Sequence, residues 1–412
     1  MQQRHGRGKQ DRHVHMIYLD NHATTRLDPR VLDAMLPWMR DGFGNAGSVG
    51  HTFGEEARAA VNEARATIAG AIGAEPEEIV FTSGATESNN LAIRGVAQRT
   101  RRRGDHLVTA ATEHNAVLAP ISSLQRRGYT ATFLQPEQHP SPVAGRIDPQ
   151  QVAEAITNET CLVSLMLANN EIGIIQPLAE VSSVCRERGV LLHTDATQAV
   201  GKLPVDVKAL GVDLMSFTGH KLHGPMGVGA LYVRRRSPVV RLDAQITGGG
   251  QERGLRGGTL NVPGIVGLAE AVRLSQDGMA DGEPAQLAKL RNRLASRLRD
   301  AASPWELCGP NLEETTQSKP LRLPANLMIA LGDAQGEAVQ LACPKVAFST
   351  GAACSSTEPE PSHVLRAIGL TGDQASTALR FGLSRFTTEA EIDAAARAVG
   401  EAVHAVRAHA SP

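Results

Sequence analysis

Four residues stand where their side chains could do chemistry. Lys221 closes the run Ser216-Phe217-Thr218-Gly219-His220-Lys221, and Gly224-Pro225 follows. Most lysines are solvated surface charges. One at the end of an apolar run, among residues small enough for a ligand to approach, can form a Schiff base once burial lowers its pKa. Asp195 ends the apolar run Val190 to Thr194 and precedes Ala196-Thr197-Gln198. An acid there commonly caps the next helix. Its sharper use is to keep a pyridine nitrogen protonated, so that the ring can act as an electron sink. His114, in Thr112-Glu113-His114, reads either as a satisfied core histidine or as a ring stacked over a planar cofactor and moving protons. Cys354 lies in Ser349-Thr350-Gly351-Ala352-Ala353-Cys354-Ser355-Ser356, with Pro359 and Pro361 beyond. Such small neighbours predict an exposed loop, where a thiol is reactive rather than structural.

Two Gly-containing stretches supply anion chemistry. Thr82-Ser83-Gly84-Ala85-Thr86-Glu87 sits at a strand-to-helix junction, where backbone N–H groups and hydroxyls suit a phosphate or merely cap the helix. Gly248-Gly249-Gly250 through Gly257-Gly258-Thr259 carries Arg253 and Arg256, fixed positive charges suited to phosphate or carboxylate. Neither stretch is a P-loop or a GxGxxG fingerprint, which excludes the usual NTPase and NAD readings. Of the five cysteines, Cys161 and Cys185 fall in apolar elements, and Cys308 and Cys343 carry no assigned role. An odd number, wide spacing and the lack of CxxC argue against a disulfide framework or a zinc site and for a reducing compartment.

The elements that must position these residues alternate between short apolar runs and amphipathic stretches. Strands are expected over 78–82, 105–110, 161–167, 190–194, 212–217 and 229–233, with a helix over 87–98. Alternation of this kind implies a largely parallel sheet. Ligands of open α/β sheets sit beyond the carboxyl ends of the strands, so Thr86, His114, Asn170, Asp195 and Lys221 should meet in one cleft. A helix-like stretch beyond Gly267 is interrupted over 277–284, and helix resumes over 287–298. Residues 311–324 read as a loop, 325–331, 346–349 and 378–383 as strands, and 389–409 as an Ala-rich helix. The domain boundary is drawn near residue 275. The polar, basic first 16 residues read as a tail and not as a secretory signal. A net charge of -1 points to neither nucleic acid nor a membrane surface, and no apolar run approaches the ~20 residues of a membrane helix.

Together these segments resemble the cysteine desulfurases, pyridoxal-phosphate (PLP) enzymes of the class-V aminotransferase family. The likeness runs from Tyr18-Leu19-Asp20-Asn21 to Arg385-Phe386-Thr387-Thr388. It is carried by FTSGATESNNLAI, TEHNAV, ANNEIG, HTDATQAVGKLP, SFTGHKLHGPMGVGALYVRR, GGGQERGLRGGT and STGAACSS. The resemblance implies the α/β fold of the fold type I PLP-dependent transferases. A large domain over 17–275 would hold a mostly parallel seven-stranded sheet, its first residues packing with a smaller α+β domain over 276–412. Lys221 would link to PLP, Asp195 would pair with its ring nitrogen, Gln198 with its ring hydroxyl, and His114 would stack on the ring. Ala85, Thr86, Thr218 and His220 would hold the phosphate. Thr259 would reach the phosphate of the other subunit, which implies a homodimer. Asn170 and Arg380 would fix the carboxylate of L-cysteine, and Cys354 would take its sulfur.

The long loop after Cys354 resembles the class that passes persulfide to acceptor proteins, for iron–sulfur cluster, tRNA or other thiolation pathways. No metal, no direct nucleic-acid contact and no membrane contact is expected, and the implied compartment is the cytoplasm. Ser384-Arg385 stands where Gly-Arg is common, and Ala46-Gly47 where a Pro-containing pair is common. Many members that the chain resembles continue past the last helix with a tail that helps dock the iron–sulfur scaffold; without it, the resemblance shifts the expectation towards tRNA thiolation, DNA sulfur modification or a biosynthetic pathway. A selenocysteine lyase or another fold type I aminotransferase would not need Cys354, a non-catalytic relative would not need Lys221, and a nucleotide-binding module would answer to ATP or NAD.

Overall fold

The computed structural model describes residues 16–101, 104–236, 238–316, 319–351 and 361–410. Seven short runs form one sheet: β1 (Ile79–Thr82), β2 (His106–Ala110), β3 (Thr130–Leu134), β4 (Thr160–Ser164), β5 (Leu191–Asp195), β6 (Leu214–Thr218) and β7 (Gly229–Val233). Their spatial order is β1-β7-β6-β5-β4-β2-β3. Pairing is parallel from β6 through β3, while β7 runs antiparallel to both β1 and β6. Strands covered on both faces read as continuous apolar runs, because alternate side chains enter two different cores. Ile79 and Phe81 of β1 and Val108 of β2 join one core, and Val80 and Leu107 join the other. The edge strand β3 is the least buried of the seven.

Helix α1 (Pro29–Arg40), α2 (Thr52–Ala71) and α5 (Val262–Ala280) pack together on the first face. Helix α3 (Ala85–Thr100) and α4 (Asn115–Gln125) cover the second. A second sheet, of order β10-β11-β9-β8, is antiparallel throughout and joins β8 (Glu306–Leu307), β9 (Asn326–Ala330), β10 (Ser349–Thr350) and β11 (Ala378–Gly382). It shares a core with α6 (Glu283–Ala302) and α7 (Glu389–Ala410), through residues such as Leu294, Leu298, Phe381, Ile392 and Val399. Near the start of the chain, Ile17–Tyr18 pairs in parallel with Val346–Ala347, and Asp20 bridges to Gly382.

Three local readings change. The interruption expected over 277–284 shrinks to Asp281 and Gly282, so α5 runs through residue 275. Arg273 pairs with Glu270 and Asp277 along that helix, and Gly282 makes the turn at φ +81°. The loop over 311–324 contains a small hairpin, Thr315–Thr316 against Lys319–Pro320. Strand β4 ends at Ser164, yet Leu165 and Leu167 still donate to His193 and Asp195 carbonyls, at 3.0 and 2.9 Å. Among the described residues no helix is long and apolar enough to cross a membrane.

Candidate active site

The carboxyl ends of the central strands open into a cavity of about 470 Å³. Strand β1 delivers Ser83 and Gly84, and α3 begins immediately after them. Gly84 holds φ at +150°, a conformation that side chains rarely adopt, and no side chain caps the helix start. The first N–H groups of α3 are therefore left for an anion, with Ala85 and Thr86 lining the cavity beside Thr218 and His220. Glu87 accepts from Ser83 N at 2.8 Å and from Arg256 Nε at 2.9 Å, tying the second Gly-rich stretch to this turn. Burial and the cations Lys221 and Lys202 pull the His220 ring down to about 4, so it is neutral at ordinary pH.

Strand β5 ends in Asp195, which is buried. Its Oδ2 accepts from Asn89 Nδ2 at 2.7 Å and its Oδ1 from Thr197 N at 2.9 Å. Beneath it, the His193 ring is hydrogen-bonded to Ser164 at 2.8 Å and Ser216 at 3.0 Å, and burial lowers its pKa to about 4. A neutral histidine below the acid leaves the carboxylate free to answer a cation above it.

Lys221 closes the turn after β6. Its Nζ donates to His22 O at 2.6 Å and to Ala23 O at 2.5 Å. Burial first, then the nearby Arg380 charge, bring its pKa down from 10.5 to about 8. His114 is the N-cap of α4, its Nδ1 accepting from Ala116 N at 3.0 Å. The neutral ring therefore carries its hydrogen on Nε2. Protein packed behind the exposed ring pushes its pKa below the usual value.

Ala85, Thr86, His114, Asn170, Asp195, Gln198, Thr218, His220 and Lys221 thus line one cavity. Two other expected residues stand outside its lining. Thr259 is exposed on the Gly-rich segment. Arg380 is buried just behind, donating to Asn170 O at 3.3 Å, to Asp20 Oδ1 at 3.0 Å and to Ser349 Oγ at 2.8 Å. Cys354 lies outside the described residues. Sequence reasoning passed over Asn89, His22 and Lys202. The signal for Asn89 was its place one helical turn beyond Ala85, which brings both to the same side of α3. His22 and Lys202 gave no such signal, because they reach the site through Gln198 and a backbone carbonyl. Among the described residues, no group of three or more His, Cys, Asp or Glu is placed to hold a metal ion.

The profile of the Aminotransferase class-V family matches residues 17–395, and the chain belongs to that family. Among curated proteins it is similar to the cysteine desulfurase IscS of Anaeromyxobacter dehalogenans, with 49% identity over 95% of this chain and 93% of that protein. Among solved structures it is similar to a NifS-like protein, with TM-score 0.84 and 34% identity over 94% of this chain and 99% of that one. It is also similar to SspA in complex with cysteine, with TM-score 0.74 and 35% identity over 90% of this chain and 100% of that one.

The family's cofactor is PLP, and the cavity fits it. The uncapped start of α3 could take its phosphate, Asp195 could pair with its ring nitrogen, and Lys221, with its lowered pKa, could bond to its aldehyde carbon. Lys202, Lys221 and Arg380 also repel one another across the site, a field that an anionic ligand relieves.

Proposed function

We infer that this chain is a PLP-dependent cysteine desulfurase: it removes sulfur from L-cysteine, releases L-alanine and leaves a persulfide on Cys354. The observation that carries this is the convergence of Asp195 and Lys221, from neighbouring strand ends, on one cavity with an anion cradle at its edge. Bound PLP supplies an electron sink for charge that develops on the substrate carbon.

The residues of this chain do the rest. Lys221 is the covalent anchor, and with a pKa of about 8 a share of it is a neutral amine near pH 7, able to take a proton from the substrate Cα. Asp195, held by Asn89 and Thr197 N, keeps the proton on the ring nitrogen. Ala85, Thr86, Thr218 and His220 hold the phosphate. Gln198 would meet the ring oxygen, and His114 would cover the ring and carry protons through Nε2. Arg380 leaves Asp20 for the substrate carboxylate, with Asn170 beside it. The Cys354 thiolate bonds to the substrate sulfur. The substrate C–S bond breaks, its electron pair stays with carbon, and a proton on that carbon completes alanine. The active form is a homodimer in which Thr259 serves the partner's phosphate site. Acceptor proteins then take the persulfide sulfur in the cytoplasm, where thiols stay reduced.

The test is alanine release from L-cysteine by the PLP-loaded chain. Lys221→Ala should abolish it, along with the visible absorbance of the bound cofactor. Alanine release that survives Lys221→Ala would refute the reading.

A further inference from the structure

An amide side chain can offer a ligand either its oxygen or its NH2 group. At Gln198, which lines the cavity, that choice is made from behind. Lys202, four residues on and not part of the lining, donates from Nζ to Gln198 Oε1 at 2.6 Å. An ammonium has donors only, so the reversed amide would set donor against donor. His22 Nδ1 lies 3.1 Å from the same oxygen, and Gln198 Nε2 donates to His22 O at 3.0 Å. With its hydrogen on Nδ1, His22 fills the second lone pair of that oxygen, and its buried Nε2 has no partner among the described residues. Burial and the Lys202 charge hold the His22 ring well below its usual pKa, so it stays neutral. Counting donors and acceptors, the Gln198 side chain keeps one uncommitted group, its second N–H.

The same carbonyl, His22 O, also accepts from Lys221 Nζ at 2.6 Å. Lys202, Gln198, His22 and Lys221 are therefore one connected cluster. The titratable groups facing Lys202 are the cations Lys221 and Arg380 and the histidines His22, His220 and His223, whose pKa values are lowered so that they stay neutral; no acid pairs with Lys202 among the described residues. Burial and those two cations bring its ammonium down to about 7. An anionic ligand in the cavity would offset that repulsion and keep Lys202 protonated.

We propose that Lys202 is a positioning residue for the cofactor ring: by holding the Gln198 oxygen away from the cavity, it makes Gln198 present an N–H donor and so selects the deprotonated form of the ring hydroxyl. The assignment rests on the reading that PLP occupies this cavity. A positive charge relayed through the amide favours the cofactor state with one proton fewer. Removing it should therefore raise the pH at which the bound cofactor's visible absorbance changes.

The experiment is a pH titration of that absorbance in the full PLP-loaded chain. It compares wild type with Lys202→Met, Lys202→Gln, Lys202→Arg, Gln198→Leu and the Gln198→Leu/Lys202→Met pair. The two neutral replacements should move the midpoint upward by roughly one unit, the scale on which a nearby charge shifts a pKa. Lys202→Arg, which keeps charge and donors, should stay near wild type. In the Gln198→Leu background, Lys202→Met should add almost nothing, because the relay is already cut. A neutral variant that melts like wild type and keeps the wild-type midpoint overturns the proposal, as does a Lys202→Met shift that persists undiminished without Gln198. Should Lys202→Met fail to fold, Lys202→Gln and Lys202→Arg carry the comparison. A wild-type chain that takes up no PLP would sink the cofactor reading and this assignment with it. A normal wild-type titration with an unmoved Lys202→Gln midpoint sinks this assignment alone.

Discussion

At the scale of single residues, the site works by removing charges from water and then deciding which of them stay charged. Lys221 is the clearest case. Its pKa of about 8 lies well under that of a free lysine, for which half the amine forms only near ~10.4. The deprotonated amine is the nucleophile, so covalent capture of an aldehyde probe by the cofactor-free chain should rise with pH, reach half its maximum near 8 and then level off. A rise that continues beyond pH 10 would mean that Lys221 is solvated. Glu113 shows the opposite sign. It is buried against Met166 N, with one carboxyl oxygen unpartnered, and burial raises its pKa well above the ordinary range. Between the unfolded and folded pKa values the native state binds more protons, so this group lowers stability as pH rises through that window. Glu113→Gln keeps an acceptor for Met166 N and removes the titration. At neutral pH it should raise the melting temperature by roughly 1–3 °C, with no gain below about pH 4. An equal gain at all pH values would show that the acid's charge is not the cause.

At the scale of elements, the second Gly-rich stretch is fastened by one buried ion pair. Glu252 meets Arg65 of α2 through two bonds, of 2.6 and 2.8 Å, and accepts from Phe81 N of β1 at 2.8 Å. Arg65 also donates to Ile79 O and stacks over the Phe81 ring. Glu252 and Arg253 both hold positive φ, at 46° and 58°, a conformation that persists only where surroundings enforce it. Removing one partner of a buried pair leaves the other charge uncompensated. Glu252→Ala should therefore cost about 3–5 kcal/mol in denaturant unfolding, and a loss under 1 kcal/mol would contradict the role given to the pair. The sequence did not reveal this fastening. Glu252 and Arg65 lie far apart in the chain, and neither stands in a local pattern that calls for the other. The seven sheet strands were easier to read, because burial on both faces writes continuous apolar runs such as Cys161 to Leu167. Only β3 was missed, as an edge strand with a partly exposed face. The break expected over 277–284 failed because Arg273 with Glu270 and Asp277 keeps the last turns of α5 helical, despite the polar composition.

At the scale of the whole molecule, two cores meet beside the cavity. The seven-stranded sheet supplies Asp195, Lys221 and the turn before α3, and the antiparallel sheet supplies Arg380, while Asp20 and Ser349 hold Arg380 at the junction. Most of this was legible, because strand-end residues are named by where the apolar runs stop. Arg380 was legible as a residue but not by its place behind the cavity wall, and Thr259 was expected at the other subunit's site, not in this wall. Arg380 is drawn back by Asp20, and Thr259 lies exposed on a segment that does not line this cavity. Leu32, Leu36 and Met39 of α1, with the stacked pair Phe43 and Phe53, leave apolar surface exposed on the described chain. In the proposed reaction, sulfur leaves L-cysteine and arrives on one thiol. Peptide mass spectrometry of the PLP-loaded chain after brief exposure to L-cysteine tests that most directly. One extra sulfur is expected on the peptide that contains Cys354, together with an equivalent of released alanine. Alanine formed with no added sulfur on that peptide, or the sulfur found on Cys161, Cys185, Cys308 or Cys343 instead, would contradict it.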